Sequence, residues 1–171
     1  MSKKERQKEK LKDIHQDNEG NLIYTGELLK ASGDVSGVRV KLITGIVVIA
    51  AAVVASGCID AAGANNSFYV ILPYIGEVAA AFVLVWNSVR VVYAAGGIRK
   101  YILDTCSSRI PGACRMLTVF AVAGMIGSCI YMAQWGMGGQ TLKSILYPLL
   151  KVIAAVAAEM FRRYYDNIIW E

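Results

Sequence analysis

Residues 42–59 read LITGIVVIAAAVVASGCI, a run without a single charge. A helix needs about 20 largely apolar residues, at 1.5 Å each, to cross about 30 Å of hydrocarbon. This run therefore reads as a membrane span. A surface helix of a soluble protein would carry a polar residue every three or four positions, and no such stripe appears here. Residues 116–135, MLTVFAVAGMIGSCIYMAQW, repeat the signature. Two further segments are long and apolar but hold isolated polar groups. Residues 68–95 contain Glu77, Asn87 and Arg90, and residues 142–165 contain Lys143, Lys151, Glu159, Arg162 and Arg163. The expected fold is an all-α, integral membrane four-helix bundle. Residues 1–41 form a polar, basic arm, 42–165 the four-span domain, and 166–171 a short tail.

The composition agrees. Of 171 residues, 56% are apolar, against roughly 45–50% in soluble domains, and the excess falls almost wholly after residue 41. The chain carries 18 Lys and Arg against 13 Asp and Glu, a net charge of +5, and half of the basic residues precede residue 42. A basic soluble arm points to nucleic acid, but beside membrane spans it points to anionic headgroups. Nucleic acid is therefore not an expected partner, and the bilayer is. The basic start is not followed by the apolar run and small-residue cleavage site of a signal peptide, so the first span is expected to serve as its own insertion signal.

Loop charges orient the spans. Residues 60–67 and 136–141 hold no Lys or Arg. The middle connection holds Arg99, Lys100, Arg109 and Arg115, and the arm and the C-terminal end are basic as well. Because Lys and Arg stay on the side of insertion, both termini and the middle connection are expected in the cytoplasm of a cell (plasma) membrane. Pro73 and Pro148 fall near the outer ends of their spans. The second helix is expected to start near Pro73, with Leu72 and Pro73 extended ahead of it.

Lipid tails are as apolar as Leu, so close backbone approach must help to drive the helices together. Small residues four apart supply it: Ala51/Ala55 and Ala52/Ser56, Gly124/Ser128 and Ala123/Gly127, and Ala154/Ala158. Packing of a compact bundle is the preferred use of these pairs, and a dimer face is the alternative.

Glu77 and Lys151 stand out. Each lies nine residues into its span from the outer side, about 13 Å deep. A lone charge at such depth costs about 2.5–3.5 kcal/mol on insertion scales. Opposite charges at one depth are therefore candidates for an intramembrane pair. Its role is either to fix helix register or to bind a proton, cation or polar substrate; the first is favoured because a small bundle has little room for a cavity. Glu159 needs no such account, since Arg162 and Arg163 follow on the same helical face.

Other chemistry is not indicated. No catalytic, cofactor-binding or metal-binding residues emerge. The four cysteines include no C-x-x-C pair, which a thiol oxidoreductase would want, and read as small apolar residues. His15 has no second ligand nearby. Gly136, Gly138 and Gly139 read as a turn. In the arm, turn signals at Glu19-Gly20-Asn21, Gly26 and Gly33 flank Leu22-Ile23-Tyr24 and Leu28-Leu29, which is either a small hairpin or an extended strip on the membrane. Forty residues cannot build their own core, so the arm is read as a docking element. The functional expectation is a non-catalytic accessory or structural subunit that associates with another membrane protein or with itself. A small oligomeric transporter or channel using Glu77 and Lys151 is the alternative.

Overall fold

The computed structural model describes residues 14–16, 22–24, 28–59, 64–94, 97–136 and 139–171. Four helices dominate: α1 (Val35–Gly57), α2 (Phe68–Ala94), α3 (Lys100–Trp135) and α4 (Thr141–Asp166). Each is long and apolar enough to cross a bilayer, and the chain is a multi-pass membrane protein by that criterion. Each helix packs on its neighbours in sequence, and α1 packs on α4, closing a ring. α1 with α3, and α2 with α4, are thus the diagonals. The end where α1 starts and α4 stops is called proximal below, and the other end distal.

The inward faces follow a spacing of three and four residues. On α1 they are Leu42, Ile46, Ile49, Val53 and Ser56, which is the stripe that an inward-facing helix must have. The outward residues are equally apolar: Val47, Val54, Phe82, Val119 and Ile126 are all exposed. A helix apolar all round is what a lipid environment selects. Of the small-residue pairs, Ala52/Ser56, Gly124/Ser128 and Ala154/Ala158 are buried in the bundle, whereas Ala51 faces outward. Most of that signal therefore serves internal packing.

The first turn of α1 is capped by Asp34. Its carboxylate accepts from the Ser36 amide at 3.0 Å and from the Ser36 hydroxyl at 2.6 Å, satisfying one of the four helix-start amides. These bonds hold the Asp34 carboxyl below its ordinary value, the Ser36 side chain contributing most. A depressed acid contributes stability above its unfolded value and loses it as pH falls through the folded one. Amide protection at Ser36 is therefore expected to be constant at neutral pH and to fall below about pH 4. Asp34→Ala is expected to abolish that pH dependence in a hydrogen-exchange measurement; an unchanged profile would remove Asp34 from the cap.

Three features depart from the sequence reading. First, most of the middle connection is helix. α3 runs through 100–115 before the apolar stretch begins and is 36 residues long, about 54 Å. Leu103, Cys106, Ile110, Ala113 and Cys114 are buried along this extension, while Asp104, Arg109 and Arg115 are exposed. Pro111 lies inside it. Second, α2 starts at Phe68, not near Pro73, with the Ser67 carbonyl accepting from the Val70 and Ile71 amides at 3.0 Å. Pro73 and Pro148 are both inside their helices. Third, the arm does not pair Leu22-Ile23-Tyr24 with Leu28-Leu29. β2 (Leu22–Tyr24) pairs backward with β1 (Ile14–Gln16), His15 opposite Ile23. The turn signal at 19–21 lies between them, outside the described residues, as do the charged run before residue 14 and Gly138.

β3 (Leu28–Leu29) instead pairs with β4 (Ile98–Arg99), just ahead of α3. The next arm residues pair with the chain's end. The Glu171 amide donates to the Lys30 carbonyl at 2.9 Å and the Ser32 amide to the Ile169 carbonyl at 2.9 Å. Ala31 faces Trp170 across an antiparallel bridge. Residues 28–32 thus form a common segment that ties the middle connection to the C-terminal tail, and Ala31 within it and Ile98 on the paired strand are both buried. Satisfying these backbone groups fixes the proximal end of all four helices.

Candidate functional site

Glu77 on α2 and Lys151 on α4 meet across one diagonal of the ring. The Lys151 ammonium donates to Glu77 Oε2, and the two side chains are fully buried. The same ammonium donates to the Ser56 hydroxyl of α1 at 3.0 Å. Ser56 in turn donates to the Val53 carbonyl at 2.8 Å. The ring of Tyr74 lies 4.6 Å from Lys151 Nζ and that of Tyr147 4.9 Å. A carboxylate, a hydroxyl and two aromatic faces therefore surround the ammonium group.

The local sequence explains this convergence. Tyr74 and Glu77 are three apart on α2, and Tyr147 and Lys151 four apart on α4, so each aromatic ring shares a face with a charge. Glycines bring the neighbouring helices close. A side chain at Gly57 of α1 would overlap the Tyr74 hydroxyl, and one at Gly124 of α3 would sit 3.6 Å from Lys151 Cε. All four helices thus contribute, three by polar or charged side chains and α3 by the absence of one.

Two polar atoms at this centre have no hydrogen-bond partner: Glu77 Oε1 and the Tyr147 hydroxyl. Chemically, the centre is a buried ion pair with one carboxylate oxygen and one phenol hydroxyl left without a partner. Two surface clefts lie elsewhere. One, of about 540 Å³, opens at the distal end between Tyr69, Tyr131 and Trp135. The other, of about 310 Å³, is apolar and lies between α1 and α2. Neither is lined by Glu77 or Lys151.

The remaining polar residues are placed as follows. Asn87, buried on α2, donates to the Val83 carbonyl at 2.7 Å, and Ser88 beside it is buried too. Glu159 accepts from Arg162 through both oxygens, at 2.9 and 2.6 Å, and from Arg163 at 3.0 Å. Arg90 does not turn toward the proximal end. Its guanidinium lies over the Trp86 ring at 5.1 Å, one turn deeper, following the tilt of helical side chains toward the helix start. Arg90, Asp104 and Arg109 are exposed, and no ion pair joins them among the described residues. All four cysteines are free; Cys106 and Cys114 are buried and Cys58 and Cys129 exposed. Among the described residues no cluster of His, Cys, Asp and Glu could hold a metal ion.

Sequence reasoning named Glu77 and Lys151 but not Ser56, Tyr74 or Tyr147. The signal for the tyrosines was available, since each lies one helical turn from a charged residue of the pair. Ser56 entered only as a small packing residue. No protein-family model matches this chain, nor does any curated protein or solved structure show significant similarity to it.

Proposed function

We propose that this multi-pass membrane protein is a non-catalytic accessory or structural subunit of a membrane complex. In this reading it sits in the plasma membrane with the arm, the β3–β4 ribbon and the tail in the cytoplasm. The basic arm docks onto another membrane protein or onto a second copy. One observation carries the proposal: the chain's most unusual intramembrane chemistry is closed off, with Glu77 at 0% and Lys151 at 1% exposure. A charge that moves a solute needs a water-filled approach, whereas a charge that fixes helix register needs burial and a partner. The positive bias of the proximal segments supports the orientation, and the shared segment at residues 28–32 gives the arm a fixed base from which to dock.

The alternative, a small oligomeric transporter using Glu77 and Lys151, draws on the unpartnered Glu77 Oε1 and Tyr147 hydroxyl. The two readings separate in the mass of the native assembly, purified in mild detergent from its own host. A stoichiometric complex with a foreign membrane protein or a defined oligomer, lost on deletion of residues 2–20, is the expected result. A monomer, or an assembly indifferent to that deletion, would sink the docking proposal. Proton flux in vesicles, abolished by Glu77→Gln, would then favour the alternative.

A further inference from the structure

The apolar cleft between α1 and α2 lies toward the proximal end. Ile43, Ile46 and Val47 line one wall and Val89, Val92 and Tyr93 the other, enclosing about 310 Å³. That is the low end of the roughly 300–1,000 Å³ range of small-molecule sites. One turn of a helix about 10 Å across fills more than that volume, whereas a single chain of methylenes does not.

The charges beside it are of one sign. Arg39 stands four, seven and eight residues before Ile43, Ile46 and Val47, so it continues the same face of α1 by one turn. Its Nε is buried and has no hydrogen-bond partner. On the other wall, Trp86 and Arg90 border the face formed by Val89 and Tyr93, with the Arg90 guanidinium over the indole. Neither arginine has an ion-pair partner among the described residues, and no acidic side chain lines the cleft. An apolar slot with an arginine that has an unused donor one turn beyond its proximal end is complementary to an acyl chain that ends in a phosphate.

We propose that this cleft binds one anionic phospholipid of the leaflet on the proximal side. One acyl chain lies along α1 and α2, and the phosphate meets Arg39 at the proximal end, while the Arg90 guanidinium stays over Trp86 beside the deeper part of the chain. Ile43 is about 6 Å along the helix axis from Arg39, so the chain enters the slot directly above the headgroup. The proposal stands independently of which protein the arm engages.

The test uses the full chain in mild detergent, titrated with phosphatidylglycerol or phosphatidylcholine and read by native mass spectrometry. One phosphatidylglycerol is expected to be retained at least tenfold better than phosphatidylcholine. Arg39→Gln is expected to weaken that retention by about tenfold, as loss of one charged hydrogen bond implies. Val47→Trp fills the slot while leaving both arginines, and is expected to lose the lipid as well; it carries the test if Arg39→Gln does not fold. Equal retention of the two lipids, full competition by inorganic phosphate, or undiminished retention in Val47→Trp would each overturn the proposal. So would a protein captured in the host membrane by a photo-crosslinker at position 47, which would give the cleft to a partner.

Discussion

Neutralising either Glu77 or Lys151 alone is expected to destabilise the bundle by about 3–5 kcal/mol, while neutralising both recovers most of the loss. The asymmetry follows from burial. Lys151→Met leaves the Glu77 carboxylate at the centre of the ring without its cation, facing Tyr74, Tyr147 and hydrocarbon. Glu77→Gln leaves an ammonium without its counter-charge, held by neutral acceptors alone: the amide oxygen, Ser56 and two ring faces. Either residual charge must be desolvated, be neutralised by proton exchange, or draw water into the bundle. The double variant Glu77→Gln/Lys151→Met has no charge left to desolvate, and Met follows the path of the Lys stem. The measurement is a titration from mild detergent into denaturing micelles, followed by far-ultraviolet circular dichroism or by energy transfer between α2 and α4. Coupling appears as a double-variant loss well below the sum of the single losses. Additive losses would mean that the two charges act separately and would remove the pair as the register device. The same variants probe function. If the role is structural, the double variant keeps its native assembly mass; a stable double variant that no longer assembles would give the pair a task beyond holding helices.

The sequence made the four helices legible because lipid exposure removes the polar stripe. Nothing in a soluble fold explains Val47, Val54 and Ile126 pointing outward. The diagonal contact was foreshadowed for a geometric reason: spans of similar length that enter from one side place equal residue offsets at equal depth, and Glu77 and Lys151 share an offset of nine. The length of α3 was hidden by averaging. Lys100, Asp104, Arg109 and Arg115 depress the mean hydropathy of 100–115, yet Leu103, Cys106, Ile110, Ala113 and, just beyond, Leu117 keep a spacing of three and four throughout. Periodicity was the correct signal there, and total apolarity the wrong one. The pairing of β3 with β4, and of Lys30 with Glu171, lay beyond local reading altogether. Such short runs have no register of their own, and their partners are chosen by which helix ends the bundle brings together.

Gly127→Ala is expected to destabilise the bundle by about 2–3 kcal/mol, the upper part of the range for overpacking, because what it would strike is backbone. A Cβ at Gly127 on α3 would overlap the Tyr69 carbonyl oxygen of α2 and lie 3.1 Å from its carbon. A flexible side chain could rotate away; a carbonyl in a helix cannot without moving the helix. Pro73 makes this contact intelligible. In a regular helix the amide of residue 73 would donate to the carbonyl of residue 69, and proline has no amide to give. The Tyr69 carbonyl is therefore without its helical donor, and Gly127 brings its Cα hydrogens against that oxygen, a weak but favourable contact where water is scarce. Proline on one helix and glycine on the next thus form a matched pair across α2 and α3. Gly112 on the same helix supplies the contrast. Nothing lies within 4 Å of a Cβ placed there, so Gly112→Ala is expected to stabilise α3 by about 0.5–1 kcal/mol through lower backbone entropy in the unfolded chain. Both variants are read in the same micelle titration as the ion pair. Opposite signs for two identical substitutions on one helix would locate the close approach at Gly127. Equal effects would show that α2 and α3 do not meet there, and Pro73 would then need another explanation for its tolerance inside α2.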